Sequence, residues 1–379
     1  MARILLISNI FPPTIGGPAI FIDRLAAALS KRGHQVTVVC SGEGTIAPDY
    51  DAQRAFKVCR VSTANRYVYE VMIRLVLAWQ LFRHRLILVN GLESYLGPIA
   101  RVMRRRFILK IVGDGVWEQG RNWGVLTDEF DAFQQRSSIP ARLAGLAASR
   151  QRYLALAKVI VTPGKWLADV VAGWGVERSR LLVIPNGVPL APFANAQPQC
   201  RAAGDLDVVF VGRLTNWKGV ETLMLALASL DGVHLTVIGE GPELPLLTAL
   251  ATQLKLGSRL SLVGKMEQTL LHQRLMAAHV LVLPSNYEGL SHTLLEAGAA
   301  GLARIASHIG GNAEVIRDQV DGLLVSYGDV EAWRAALARL RDDEELRLRL
   351  AQQALAQARA VYGFEQSVDA YADLLEAQS

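Results

Sequence analysis

Cysteine is scarce in this chain of 379 residues: Cys40, Cys59 and Cys200 are widely spaced, odd in number and form no Cys-x-x-Cys pair. That argues against a disulfide framework or a zinc ribbon and fits a reducing compartment. No uninterrupted apolar run of about twenty residues is present, so a membrane span is not expected. The opening stretch MARILLISNIFPP has an apolar run far too short for a signal-peptide core and cleavage site. Low-complexity segments are missing as well: with 51% hydrophobic and 20% charged residues the composition is that of a globular protein. The seven histidines show no pairing at metal-ligand spacing and no His-Glu-x-x-His string, and DLD at 205–207 opens a strand beside a linker. No metal is expected, and the chain reads as cytoplasmic.

What is present is a mild excess of positive charge, +5 at neutral pH, concentrated in RHR (83–85) and RRR (104–106). Such runs are solvated helix ends or contacts for phosphorylated substrates, anionic lipid or nucleic acid. Nucleic acid is the weakest of these, because the runs lack the interleaved stacking aromatics of a recognised module. Segment 67–85, YVYEVMIRLVLAWQLFRHR, is apolar on nearly all sides and ends basic. The plain reading is a buried helix covering a sheet. The sharper one is a docking face for the inner face of a membrane that carries a lipid-linked acceptor.

The chain is long enough for two domains. RILLISN is a strand-length run, IFPPTIGGPA a turn-rich loop, and IFIDRLAAALSKRG a helix with Ile20, Leu25 and Leu29 on its inner stripe, ended by Gly33. Strands follow at QVTVVC, RLILVN, RFILKIV and KVIVTP, with helices near 68–82, 94–105, 140–156 and 164–173. After a Pro, Gly and Asn-rich stretch the alternation resumes with LDVVFVGR, HLTVIG, RLSLVG, VLVLPS and LARIAS. Continuous apolar strands alternating with helices predict parallel sheets covered on both faces. The expected architecture is α/β: a Rossmann-like domain over 1–185, a linker at 186–205, a second Rossmann-like domain over 206–363 and a helical tail at 364–379.

The stretch PSNYEGLSHTLLEAGAAG (284–301) places Glu288 and Glu296 with seven residues between them. In one continuous helix their Cα atoms would stand about 12 Å apart, eight steps of about 1.5 Å. Acid pairs in glycosidases work at about 5 to 9.5 Å, so spacing alone decides little. Ser291 is a good helix cap, which leaves Glu288 in the loop and puts Glu296 on the second turn. The first turn between them is an anion site flanked by two carboxylates. Taken alone, such acids are more often a loop acid and a helix-surface acid. VFVGRLTNWKGVETL (209–223) adds Arg213 at a strand end and Lys218 at the next helix start, where a cation opposes the helix dipole unless an anion is bound. Gly16 and Gly17, in FPPTIGGPAIF, let backbone approach a ligand. They form no Gly-x-Gly-x-x-Gly, and no acid follows VTVVC, so a dinucleotide oxidoreductase is disfavoured.

The ordered strings VGRLTNWKG, PSNYEGLSHTLLEAGAAG, GGNAEVI and DGLLV, with IPNGV ahead of them and FPPTIGG and RGHQVTVV near the start, resemble the retaining glycosyltransferases of the glycogen-synthase-like, sucrose-synthase-like clan. The resemblance spans nearly the whole chain and implies the GT-B fold, two Rossmann-like domains facing a central cleft. It implies a nucleoside-diphosphate sugar as donor, no cofactor, and a glycan, lipid-linked or small-molecule hydroxyl as acceptor, in surface polysaccharide or glycoconjugate assembly. Arg213 and Lys218 then grip the diphosphate, Glu288 contacts the transferred sugar and Glu296 the ribose. Gly289, Leu290, Ser291, His292 and Thr293 line the donor site, and Gly16 and Gly17 close over the phosphates. The terminal helix is implied to pack back on the first domain. A catalytically silent sugar-nucleotide binder and another GT-B activity, such as a sugar-nucleotide epimerase, stay open as alternatives.

Two departures stand out. Where many members carry a histidine that touches the donor sugar, this chain has Gly113 followed by Asp114, which leaves Asp114 as a candidate polar contact to donor or acceptor. Ala303 replaces a usual proline. Acceptor recognition is expected from the first half, where the Gly-rich region GDGVWEQGRNWG offers Trp117, Glu118, Arg121 and Trp123 for sugar stacking and hydrogen bonding. Which sugar, base and acceptor are used is not legible from these residues.

Overall fold

The computed structural model describes residues 1–14, 17–42, 51–200 and 205–378. It separates into two compact units, Met1–Pro185 with Gln366–Ser379, and Asn186–Glu365. The first holds a seven-stranded sheet of β1 (Arg3–Ser8), β2 (Gln35–Gly42), β3 (Lys57–Ser62), β4 (Leu86–Asn90), β5 (Phe107–Lys110), β6 (Ala157–Thr162) and β7 (Leu181–Val183), in the order β3-β2-β1-β4-β5-β6-β7. The second holds β8 (Leu206–Val211), β9 (Val233–Ile238), β10 (Leu260–Gly264), β11 (Val280–Leu283), β12 (Ala303–Ser307) and β13 (Leu323–Val325), in the order β10-β9-β8-β11-β12-β13. Every neighbouring pair is parallel. Central strands such as LILVN of β4 and VLVL of β11 are buried at every position, as a sheet covered on both faces requires. This is the α/β, doubly Rossmann-like architecture that the sequence pattern predicts.

The strands that sequence reading missed are β3, β7 and β13, all at sheet edges. An edge strand buries less of itself: β3 has one fully buried residue and is broken by Lys57 and Arg60, while β7 and β13, although apolar, are only three residues long. Residues 186–200, expected as linker, belong to the second unit. Val188 pairs with Gly363 and Phe193 is buried against His272, their rings 4.8 Å apart. In the first helix, Gly17–Lys31, the inner stripe is Phe21, Ile22, Leu25 and Leu29, while Ile20 is half-exposed.

In the first unit the terminal helix Phe364–Glu376 is held by Arg32, which reaches Asp369 and Asp373 at 2.7 Å each. Tyr371 stacks edge-on against Phe21 at 4.8 Å, and the Lys110 ammonium lies 3.5 Å over the Phe21 ring. Burial without an acidic partner pushes Lys110 down to about 7.

The second unit is clamped from inside by Arg304 of β12. Its fully buried guanidinium donates to the Asp321 carboxylate (3.1 Å) and backbone carbonyl (3.0 Å), the Leu294 carbonyl (3.4 Å) and Gln357 Oε1 (3.0 Å). One side chain therefore ties β12 to helices His292–Ala299 and Glu344–Val361 and to the turn before β13. Gly298 lets Arg304 in, because a Cβ there would stand 3.1 Å from the guanidinium. Asp321→Ala strands a buried cation and is expected to destabilise the second unit by about 3–5 kcal/mol. The measurement is the urea midpoint followed by tryptophan fluorescence, since Trp333 packs in the same core.

Candidate functional site

Parallel strands all release the chain at one edge, and ligands gather where the strand order reverses. In the second sheet the reversal lies between β8 and β11. The loop after β8 carries Arg213, Leu214, Thr215 and a 3₁₀ turn, Asn216–Lys218. Gly219 then takes φ 66°, packs against the Pro284 carbonyl and leads into helix Val220–Ala228. No side chain of ordinary size fits there, because a Cβ would sit 2.2 Å from that oxygen. The loop after β11 runs through Ser285 and Glu288 to Ser291, whose hydroxyl accepts from Leu294 N at 3.4 Å and caps helix His292–Ala299. The adjacent exit, after β12, brings in Gly311, where a Cβ would meet the carbonyls of Glu288 and Gly289 at 2.3 and 2.5 Å.

The two charged loops meet. Lys218 Nζ is 2.5 Å from Glu288 Oε1, which also accepts from the Ser285 hydroxyl at 2.8 Å. Lys218 stands ahead of the Gly219 cap rather than in the helix's first turn, so the conflict with the helix dipole inferred from sequence does not arise, and Glu288 answers its charge. Arg213 is exposed, with no ion-pair or hydrogen-bond partner for its guanidinium among the described residues. Gly289, Leu290 and Ser291 are buried, and His292 and Thr293 half-buried. Thr215 Oγ1, Asn186 Oδ1 and Ser307 Oγ are buried without a partner among the described residues, although Asn186 Nδ2 reaches the Leu290 carbonyl at 3.4 Å.

Glu296 faces inward from the second turn. Protein surrounds its carboxyl and no cation stands near, so burial pushes it up to about 7. The reading as a surface acid is thereby corrected. Asp207, the last residue of DLD, is occupied by Arg274 at 2.5 and 2.6 Å.

In the first unit the strand order reverses between β1 and β4, and a cavity of about 330 Å³ opens there. Asn9, Asn90, Glu93, Lys110 and Glu118 are among its walls. Asn90 Nδ2 and Glu93 Oε2 are buried without partners among the described residues, and burial raises Glu93 above the usual carboxylate range. Sequence reasoning missed Asn90, Glu93 and Lys110. For Asn90 and Lys110 the signal was present as polar residues ending the apolar strands LILVN and FILK, while Glu93 begins the helix that follows the first of them.

Several sequence-derived candidates in this unit are corrected. Asp114 is fully buried and caps helix Gly115–Asn122, accepting from Val116 N at 2.9 Å, Arg150 at 2.9 Å and Gln134 at 2.9 Å. With both oxygens occupied it holds the loop in shape and offers nothing to donor or acceptor. The Gly-rich region is thus a helix whose Trp117 is wholly buried against Phe130, its indole N–H donating to the Asp128 carbonyl. Trp117 cannot stack on a sugar. Arg121 is turned to the carbonyls of Thr127 and Asp128. Trp123 is 42% exposed beside Arg142, and Glu118 alone of the four lines the cavity. Gly17 opens the first helix, and Gly16 lies outside the described residues.

A carboxyl raised in the folded state keeps its proton where the unfolded chain has lost it. Its favourable contribution is present below the unfolded value near 4.5 and is lost as pH rises through about 7. Glu296→Gln removes that titration. Its melting temperature, read against the parent protein, is expected to gain steadily from about pH 5 to about pH 8.

Comparison with known proteins agrees with this architecture. The family model "Glycosyl transferases group 1" matches residues 195–357, and "Glycosyl transferase 4-like domain" matches residues 16–187. The lipopolysaccharide core biosynthesis glycosyltransferase LpsD of Rhizobium meliloti is 30% identical over 305 residues, covering 76% of this chain and 85% of that protein. Sucrose-phosphate synthase from Thermosynechococcus elongatus superposes with TM-score 0.81 at 22% identity over 100% of both chains. Anabaena HepE in complex with UDP-glucose does so with TM-score 0.77 at 17% identity, again over 100% of both. These solved structures share the GT-B fold with this chain, and the chain belongs to the group 1 glycosyl transferases.

Proposed function

We infer that this glycosyltransferase takes a sugar from a nucleoside-diphosphate donor and places it on a hydroxyl of a glycan or lipid-linked acceptor, with retention at the anomeric carbon. The observation that carries this reading is the assembly of Arg213, Lys218, Glu288 and Glu296 around the β8–β11 reversal. Arg213 and Lys218 supply the two cations that a diphosphate needs, and the start of helix His292–Ala299 adds backbone N–H groups and the positive end of its dipole. Lys218 exchanges Glu288 for phosphate when the donor enters, which frees the Glu288 carboxylate to accept from sugar hydroxyls. Glu296 accepts from the ribose. The unpartnered Thr215 and Asn186 oxygens supply further polar contacts.

Departure of the nucleoside diphosphate is then stabilised by fixed cations and the helix terminus, without a metal ion. The reaction is front-face: the acceptor oxygen bonds to the anomeric carbon on the side from which the phosphate leaves, and the departing phosphate oxygen takes the acceptor's proton. This needs no strong general base, and Asp114, buried and paired, is not one. The acceptor belongs in the first unit's cavity, where Asn90 and Glu93 offer unpaired polar atoms and Glu118 a further carboxylate. HepE bound to UDP-glucose shows one relative by fold holding such a donor. A donor-binding protein without transfer activity is the second reading, favoured by Gly113 in place of the clan's histidine.

A thermal-shift series with UDP, GDP, ADP, TDP and their sugar conjugates is expected to give a clear rise with one nucleotide family. Lys218→Ala and Glu288→Ala are expected to keep the fold and lower turnover by about 100-fold or more. Near-normal turnover in either variant contradicts the assignment. Activity is expected to be unchanged by EDTA, and strong inhibition that added divalent cation reverses overturns the metal-free mechanism.

A further inference from the structure

Helix Arg66–Arg83 has two apolar faces, and a sheet-covering helix needs one. Ile73, Leu77 and Leu81 are fully buried against the first unit's sheet. Yet Tyr67, Val68, Val71, Met72, Leu75, Trp79 and Phe82 are 43–82% exposed. At about 100° per residue, these seven fall on one continuous arc of about 140°. Arg74 lies on one margin of that arc and Arg83 on the other. Single exposed apolar residues are ordinary, but an unbroken stripe of seven large side chains along a helix is an interaction surface. The one acid on the helix, Glu70, is neutralised by Arg74 at 2.6 Å and held by the Tyr95 hydroxyl at 2.9 Å.

The stripe ends on a second feature. A cavity of about 640 Å³ at the amino-terminal edge of the sheet shares Trp79 and Arg83 with the helix and is also lined by Arg3, Arg54 and Lys57, with no acid among the described residues of its wall. Arg54 is answered by Asp23 at 3.1 Å, while Arg3 and Lys57 have no ion-pair partner among the described residues. The run Arg104–Arg106 enters β5, the parallel neighbour of β4, and so places further positive charge at the same edge of the sheet.

We propose that this face docks the enzyme on an anionic lipid leaflet, with helix Arg66–Arg83 lying in the interface. The stripe enters the acyl boundary, Trp79 and Tyr67 sit at the headgroup level, and Arg3, Lys57 and Arg83 surround lipid phosphates. No helix is long and apolar enough among the described residues to cross the membrane, so the attachment is peripheral. Charge favours lipid over a second copy of the chain. Glu70, the helix's one acid, is already paired with Arg74, so a second copy's helix offers no free acid to Arg83, Arg3 and Lys57, whereas a phosphate surface matches these cations. Docking of this kind holds the enzyme on the surface where a lipid-linked acceptor resides.

The test is flotation of the purified protein with vesicles of phosphatidylcholine plus phosphatidylglycerol, against phosphatidylcholine alone, at low and high salt. The expected result is binding to the anionic vesicles, weakened by salt. Leu75→Ser, Trp79→Ser and Phe82→Ser combined are expected to weaken binding about tenfold or more, and Arg83→Glu with Lys57→Glu to remove the preference for anionic lipid. All of these side chains are exposed, and an unchanged thermal shift with donor nucleotide verifies the fold. Failure of the parent protein to float, or equal binding by the triple variant, overturns the proposal. A concentration-dependent dimer dissolved by the triple variant, without vesicle binding, overturns it too and assigns the face to a second copy.

Discussion

A parallel sheet releases its chain at one edge, strand after strand, and that constraint governs where chemistry can occur in both units. Because the strands are buried on both faces, they carry almost nothing but apolar side chains. Most polar groups are therefore found at the strand ends and in the loops beyond them, and Arg304, inside β12, is a paired exception. Where the strand order reverses, the flanking connections turn away to opposite sides and leave a crevice. Lys218 and Glu288 meet at one such reversal, and Asn90 and Glu93 border the other. Sites at equivalent places in the two units follow from topology rather than from sequence likeness between them.

The crevice at the β8–β11 reversal is shaped by glycines and fixed from beneath by a buried cation. Gly219 and Gly311 bring backbone against the β11 loop at distances that no Cβ allows, which compacts three loops around Glu288. Arg304 does the complementary work inside. By bonding to Leu294 in the capped helix and to Gln357 in the long helix, it fixes the direction in which the helix start points. Burial lowers Arg304 to about 10, yet its neighbours keep it a cation, with Asp321 as the balancing charge. The charges at the site itself are only partly satisfied by the protein, as a ligand-binding crevice requires.

The first unit shows how a local signal misleads when burial is unknown. Trp117 and Trp123 sit six residues apart in one Gly-rich string, yet the first is core and the second surface, because Asp114 starts a helix that turns Trp117 inward and ends at Asn122, just before Trp123. Asp114 itself is taken up by Arg150, a residue remote in sequence. Segment 67–85 misleads in the opposite direction. Its composition fits a buried helix, while the fold covers only the side that carries Ile73, Leu77 and Leu81 and leaves the opposite stripe and its arginine margins in solvent.

Sequence by itself determined the α/β class, most of the strands, the capped helix after Ser291 and the order of the charged loops. All of these are written in local periodicity and in the chemistry of single turns. The edge strands β3, β7 and β13 escaped it because the first is broken by polar residues and the other two are three residues long, whereas β10, also at an edge, was legible. The tertiary structure alone decided that Lys218 pairs with Glu288, that Glu296 is dry enough to rise to about 7, and that Asn90 and Glu93 share a cavity. Each of those facts depends on contacts between strands and loops far apart in the chain, and burial and pairing across such distances leave no periodic mark in the residues that make them.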